Sequence, residues 1–152
     1  MKNNLSIWIP GQPSRTTHQS GTRISGKRTY KTASLIGWEK TLTRALMPYR
    51  PDQPIDGPIR LAVTWEYKAQ KKKDLWRWKL TRPDTDNMQK TLKDVMTRIG
   101  FWKDDSQVVF EVCKKVWVDD PGIAIRVDEM DEDAGAWLWQ GSKKVETVKN
   151  EI

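Results

Sequence analysis

Two stretches of the chain repeat apolar residues at the spacing of an α-helix. In the first, five apolar residues fall at offsets 0, 3, 7, 10 and 11: Leu35, Trp38, Leu42, Ala45 and Leu46. In the second, the offsets are 0, 4, 7, 8 and 11: Met88, Leu92, Val95, Met96 and Ile99. The pattern predicts amphipathic helices over residues 33–47 and 87–99. Thr32 and Asp86 are suited to cap their starts, and Gly100 to end the second.

Other stretches alternate apolar and polar residues with the period of a strand. Residues 59–68 alternate most regularly, and 5–9, 106–117 and 123–127 are also predicted strands. The turn residues at 119–122 predict a hairpin that joins the last two. These elements predict a single small α+β domain, with both helices packed on one face of a mixed or antiparallel four-stranded sheet.

The predicted domain spans residues 1–130, and residues 131–152 form a C-terminal extension of unknown role. Residues 14–31 are predicted to form a long loop or a loose hairpin, since they contain almost no apolar residue. No internal repeat and no linker divides the chain, and its length suits one core.

Acidic residues flank the second predicted helix. Asp84 and Asp86 precede it, and Asp104-Asp105 follows it. Carboxylates that meet in a fold repel each other unless a cation lies between them, and oxygen ligands favour Mg²⁺ or Mn²⁺. Lys90 follows Asp86 by four residues and therefore lies on the same side of the helix. This set is suited to phosphoryl transfer, in which the lysine stabilises developing negative charge.

Simpler interpretations of these acids stay open on spacing alone. An Asp before a helix commonly caps it, and an Asp pair before a strand commonly forms a turn. A calcium loop of the EF-hand type is a poor match, because Met88, Gln89 and Val95 occupy positions that need an acid or amide, Gly and Glu.

The run DTDNMQKTLKDVMTRIGFWKDDSQVV, residues 84–109, closely resembles the RusA family of Holliday junction resolvases. It shares the Asp-x-Asp-Asn element, the lysine four residues later and the Gly-Phe-Trp-x-Asp-Asp-x-Gln-Val segment. The resemblance extends over residues 7–130 and is weak over 14–58. It implies a small homodimeric, Mg²⁺-dependent endonuclease that cuts four-way DNA junctions by paired nicks, in recombination and repair.

Carried over to this chain, the resemblance makes Asp84, Asp86 and Asp105 the metal-binding carboxylates and Lys90 the catalytic lysine. One geometric difficulty accompanies this assignment. Asp105 follows Gly100 by only five residues, whereas the predicted helix is about 20 Å long. The reach back to Asp84 and Asp86 is therefore close to the limit of extended chain.

Charge indicates a polyanionic partner. Lys and Arg number 27 against 20 Asp and Glu, a formal net charge of +7. The candidate DNA-binding residues lie in two basic stretches: Lys68, Lys71, Lys72, Lys73, Arg77, Lys79 and Arg82 in one, Arg23, Lys27 and Arg28 in the other. Trp76 and Trp78 are candidates for stacking on unpaired bases. A solvated hairpin whose tryptophans pack on the domain or across a dimer interface is the alternative.

Composition favours a soluble cytoplasmic protein. The single cysteine, Cys113, excludes an internal disulfide, and it is expected to pack in the core rather than react. The single histidine argues against a His-rich zinc site or a Ser-His-Asp triad. No apolar run approaches the roughly 20 residues of a membrane helix.

The sequence therefore predicts an Mg²⁺-dependent junction-resolving endodeoxyribonuclease, in which Mn²⁺ is able to replace Mg²⁺. Two alternatives remain: a nuclease that cuts forks or flaps in phage or prophage DNA processing, and a non-catalytic junction-binding protein. The second alternative leaves the acids to cap and turn the chain, but a protein that only binds DNA has no need of negative charge beside its DNA surface.

Overall fold

The computed structural model describes residues 2–135 and 138. Its strands, in chain order, are β1 (Asn4–Pro10), β2 (Thr22–Ser25), β3 (Arg28–Lys31), β4 (Ile59–Lys68), β5 (Val108–Val118) and β6 (Gly122–Glu129). Its two α-helices are α1 (Ala33–Leu46) and α2 (Thr85–Ile99). The predicted α+β class and the four main strands are confirmed, and the basic stretch after Gly21 forms a small separate hairpin of β2 and β3.

The main sheet is mixed, with strand order β1-β6-β4-β5. Strand β4 lies parallel to β5 and antiparallel to β6. The predicted hairpin between the last two strands is wrong, because β4 lies between them. The reason is burial: every second residue of β4 up to Tyr67 is buried, so this strand gains most from a place inside the sheet.

Both helices pack on the same face of the sheet. Apolar residues of α1 and α2 join one cluster with the buried alternate residues of β4, among them Leu61, Val63 and Trp65. A chain of polar contacts also fixes α2. The Trp65 indole donates to Gln89 Oε1 at 2.8 Å, and Gln89 Nε2 donates to Glu111 Oε1 on β5 at 2.8 Å. These contacts fix the first half of α2 against β4 and β5.

The ends of α2 differ in how well the sequence predicts them. Gly100 ends the helix as expected, with the left-handed φ of 94° that glycine adopts without strain. Phe101 and Trp102 then bury their rings against the sheet. Asp86 does not cap the start as predicted, because the helix begins two residues earlier and Asp84 is its N-cap residue.

The predicted extension, residues 131–152, lies mostly outside the described residues, and its boundary stays a prediction. Neither α-helix among residues 2–135 is long and apolar enough to cross a membrane.

Candidate active site

Asp84 and Asp86 lie at the N-terminus of α2 with both carboxylates exposed to solvent. The backbone of Asp84 is extended, but its side chain makes no capping hydrogen bond. Neither carboxylate bonds or ion-pairs with any other residue in the described part of the chain. An N-cap aspartate ordinarily satisfies a free amide of the first turn. Two adjacent carboxylates without such partners are therefore available to a ligand.

A polar cleft borders Asp84 on the side of the 14–20 loop. Its lining includes Arg15, Arg82 and Asn87. Two hydrogen bonds dock this loop on α2: the His18 amide donates to Thr91 Oγ1 at 3.0 Å, and Asn87 Nδ2 donates to Gln19 Oε1 at 2.8 Å. This contact is tertiary, and the sequence carries no signal of it beyond the basic character of Arg15.

Lys90 lies one turn after Asp86 on the exposed side of α2. Its ammonium forms an ion pair with Asp94 at 3.2 Å, with half of the lysine side chain exposed. An exposed pair of this kind contributes at most about 1 kcal/mol. The ammonium can therefore exchange Asp94 for another anionic group at little cost in free energy.

Asp105 lies near the other end of α2. It follows Asp104, whose carboxylate accepts the Ser106 amide at 2.8 Å and begins a short 3₁₀ turn. That hydrogen bond holds the pKa of Asp104 below its usual range. Asp105 borders a second cleft together with Asp94 and Arg98. Asp104 therefore shapes the turn, and both acids of the pair border the same cleft beside α2.

One copy of the chain does not bring the three expected metal ligands together. Helix α2 has 15 residues, which at 1.5 Å each separates its ends by about 22 Å. Among residues 2–135 and 138 no group of three acidic, histidine or cysteine side chains is close enough to hold a metal ion. Within one copy Asp105 does not return to Asp84, because residues 105–107 form a 3₁₀ turn and Asp105 remains beside the C-terminal half of α2. The assignment of Asp105 as a metal ligand stays a prediction.

Most of the predicted DNA-binding residues lie on the surface. The exposed ones are Lys68, Lys71, Lys72, Lys73, Arg77, Arg82, Arg23, Lys27 and Arg28. Trp76 and Trp78 are also exposed, at 65% and 64%, and Leu80 beside them is 91% exposed. The main-chain atoms of Trp76 and Arg77 bond to Trp117 on β5. The indoles therefore project from a segment anchored along the end of this strand.

Lys79 is the exception in this basic stretch. Its side chain is only 4% exposed, and its ammonium lies 4.7 Å from the centre of the Trp117 ring. Lys79 therefore does not lie on the exposed surface with its basic neighbours, because alternation along the segment turns this residue toward the sheet while Trp78 and Leu80 face solvent.

Cys113 lies on β5, partly buried, as the sequence predicts. Burial raises the pKa of its thiol to about 11, so the reactive thiolate is scarce at neutral pH.

Comparison with known proteins identifies the family. Residues 10–128 match the family profile described as Endodeoxyribonuclease RusA. A protein of Lactococcus phage r1t named crossover junction endodeoxyribonuclease rusA is 38% identical over 92 residues, which cover 59% of this chain and 70% of the relative. Relatives of the same name from Shigella sonnei and Escherichia coli K12 are 26% identical over 129 residues, 84% of this chain and 97% of theirs. This chain belongs to the RusA family of endodeoxyribonucleases.

Proposed function

We propose that this protein is an Mg²⁺-dependent endonuclease that resolves four-way DNA junctions by paired symmetric nicks. One observation carries the proposal: Asp84 and Asp86 present two unpartnered carboxylates directly after a surface rich in lysine and tryptophan, in a chain of the RusA family. The relatives' printed names, crossover junction endodeoxyribonuclease, supply the substrate class.

The proposed metal ligands are Asp84, Asp86 and Asp105. Oxygen-only ligands suit Mg²⁺, and Mn²⁺ has similar preferences. When bound, such an ion activates water for attack on the phosphodiester and neutralises charge on the phosphate. The carboxylates of Asp84 and Asp86 have no protein partner in the described chain and are available to a metal ion. Asp105 lies at the far end of α2, so a third carboxylate for the same ion has to come from elsewhere.

A second copy of the chain offers an answer. Strand β5 is an 11-residue edge strand, and its apolar residue Val109 is 64% exposed. The segment around Trp78 covers only the C-terminal end of that edge, where it bridges to Val116. The edge around Val109, away from this covered end, is suited to pair with another strand.

Antiparallel pairing of two β5 strands about a twofold axis would complete the carboxylate set. Asp105 precedes the start of β5, whereas Asp84 lies near its end, where Lys115 bonds to the Pro83 carbonyl at 2.8 Å. Such pairing would set the start of one β5 beside the end of the other. Asp105 of each copy would then approach Asp84 and Asp86 of the other. A dimer of this kind has two equivalent sites, as paired nicks across a symmetric junction require.

Lys90 is proposed as the catalytic lysine. Its exposed ion pair with Asp94 is weak enough to exchange for a contact with the scissile phosphate, where the ammonium stabilises developing negative charge. The exposed lysines and arginines of the two basic stretches, residues 68–82 and 23–28, would neutralise DNA phosphates. Trp76 and Trp78 are proposed to stack on bases unpaired near the crossover.

The first experiment is nicking of a synthetic four-way junction with Mg²⁺, with EDTA, and with Asp86→Asn. We expect symmetric cuts that need both the metal and Asp86, with junction binding retained in the variant. Replication forks, flaps and linear duplex at equal concentration form the comparison set. Preferred cutting of forks or flaps would favour a fork or flap nuclease over a resolvase. Tight junction binding without cutting in Mg²⁺ or Mn²⁺ would favour a non-catalytic junction-binding protein.

A mixing experiment tests the two-copy site. Asp86→Asn and Asp105→Asn are each expected to be inactive alone. In a mixed dimer, one site would carry both substitutions and the other neither, so a one-to-one mixture that exchanges freely would recover about a quarter of wild-type nicking. The recovered cuts would be single nicks. A mixture that remains inactive, although copurification of differently tagged copies shows that mixed dimers form, would contradict a site shared between copies.

A further inference from the structure

A buried lysine with no acidic partner lies between the DNA-facing segment and Asp84. The Lys79 ammonium lies 5.0 Å from the ring centre of Tyr67 and 4.7 Å from that of Trp117. It forms no ion pair with a described residue. Burial, and then the nearby Lys115, lower its pKa. Enclosing an ammonium without a counter-ion is unfavourable unless its donors are satisfied, so the contacts of its three hydrogen atoms explain its place.

Those contacts all go to the loop before α2. Lys79 Nζ donates to the Thr81 carbonyl at 3.2 Å, to Thr81 Oγ1 at 2.5 Å and to the Arg82 carbonyl at 2.5 Å. An ammonium has three donors, and all three are used. The two aromatic rings hold the ammonium from the other side through their negative faces.

Lys115 of β5 bonds to the same loop from the sheet. Its ammonium donates to the carbonyls of Thr81 and Pro83 at 2.8 Å each. Three consecutive carbonyls, those of residues 81, 82 and 83, therefore accept hydrogen bonds from two lysines, and Asp84 follows at once. The backbone amide of Lys79 also donates to the Lys115 carbonyl at 3.1 Å. The loop is thus fixed to β5 by its own main chain as well as by both side chains.

We propose that Lys79 and Lys115 are positioning residues, which hold the backbone of residues 81–83 and thereby orient the Asp84 carboxylate for cleavage. The inference rests on the proposed function. The side chain of Asp84 makes no hydrogen bond in the described chain, so the preceding backbone and the first turn of α2 are what set its direction. Neither lysine touches the reacting phosphate in this role, because both ammonium groups are engaged with the loop.

The role predicts loss of the cleavage step without loss of DNA binding. Lys79→Met keeps an unbranched apolar side chain, shorter by the one atom that carries the charge, and removes the three hydrogen bonds. We expect it to lower the single-turnover cleavage rate at saturating protein about 10- to 100-fold, as loss of supporting contacts does at other metal sites. The Kd for a four-way junction in EDTA is expected to stay within about threefold, whereas a phosphate-contacting lysine would weaken binding and reduce its salt dependence.

Lys115 provides a second test with a conservative rescue. Lys115→Met should lower the cleavage rate in the same way, and Lys115→Arg should restore most of it, since a guanidinium also donates to two carbonyls. Lys40→Met is the control, because Lys40 is an exposed residue of α1 remote from the loop. The melting temperature of each variant separates a fault in folding from a fault in cleavage, and Lys115, which is less buried, keeps the test open if Lys79→Met fails to fold.

Two results would overturn the inference. One is a cleavage rate within about threefold of wild type in folded Lys79→Met and Lys115→Met. The other is a parallel loss of binding and cleavage, which would make these lysines DNA contacts. Asp86→Asn in the same assay separates failure of the proposed function from failure of the positioning role. If Asp86→Asn cuts normally, the proposed function fails. If it is inactive while the lysine variants cut normally, only the positioning role fails.

Discussion

Gln89→Met should destabilise the protein by about 2 kcal/mol, although it fills the same space. Gln89 lies on the buried face of α2, where its side-chain carbonyl accepts the Trp65 indole at 2.8 Å and its amide reaches Glu111. Trp65 is itself fully buried. Methionine provides no comparable acceptor, so the indole N–H would be left without a partner. An unsatisfied buried donor costs about 1–3 kcal/mol, whereas the lost bond to the exposed Glu111 contributes little.

The assay is urea unfolding, with a double-mutant cycle against Trp65→Phe. A loss of about 2 kcal/mol corresponds to a fall in melting temperature of about 4–8 °C in a chain of this size. The double variant should be more stable than the two single losses predict, by about 1 kcal/mol, because removing both partners leaves neither unsatisfied. Gln53→Met, at an exposed position, is the control. A Gln89→Met value within about 0.5 kcal/mol of wild type, or strictly additive losses, would refute the reasoning.

Three further outcomes are expected. Gly122→Ala should destabilise the protein by about 1–3 kcal/mol, because its Cβ would lie 2.2 Å from the Trp8 ring. Gly37→Ala, whose Cβ would have no atom within 4 Å, should instead stabilise the protein by up to about 1 kcal/mol. Urea unfolding measures both, and changes in stability of the same sign would contradict this prediction. Cys113, with its pKa raised to about 11, should react slowly with a thiol reagent at pH 8, faster as the pH rises toward 11, and rapidly in urea; fast labelling of the folded protein at pH 8 would contradict this burial. Lysine acetylation, read by mass spectrometry, should modify Lys72 in the free protein and less in the presence of junction DNA. Lys79 should resist acetylation with or without DNA. Acetylation of Lys79 in the free protein would contradict its enclosed position.

The geometry of the proposed site was predictable from sequence to the extent that its proposed members are close in the chain. Asp84, Asp86 and Lys90 share one helical segment, so their spacing alone places them within two turns. Asp105 is different, since its distance from Asp84 depends on the path of the chain after Gly100. Lys79 shows the same limit at a finer scale. Lys79 is one of several basic residues in its stretch, and its residue type does not distinguish it from the exposed ones. It is turned inward because its segment packs on β5 with alternate residues facing the sheet.

The main helices and strands could be predicted from local pattern, because helix and strand periodicity, a glycine stop and a threonine cap are local properties of the chain. The α+β class could be predicted for the same reason. Three features could be seen only in the folded chain: the strand that lies between β5 and β6, the docking of the 14–20 loop on α2, and the end of α2 beside which Asp105 lies. These features depend on contacts between residues far apart in sequence, whose free energies are set by burial of whole faces and not by any local pattern.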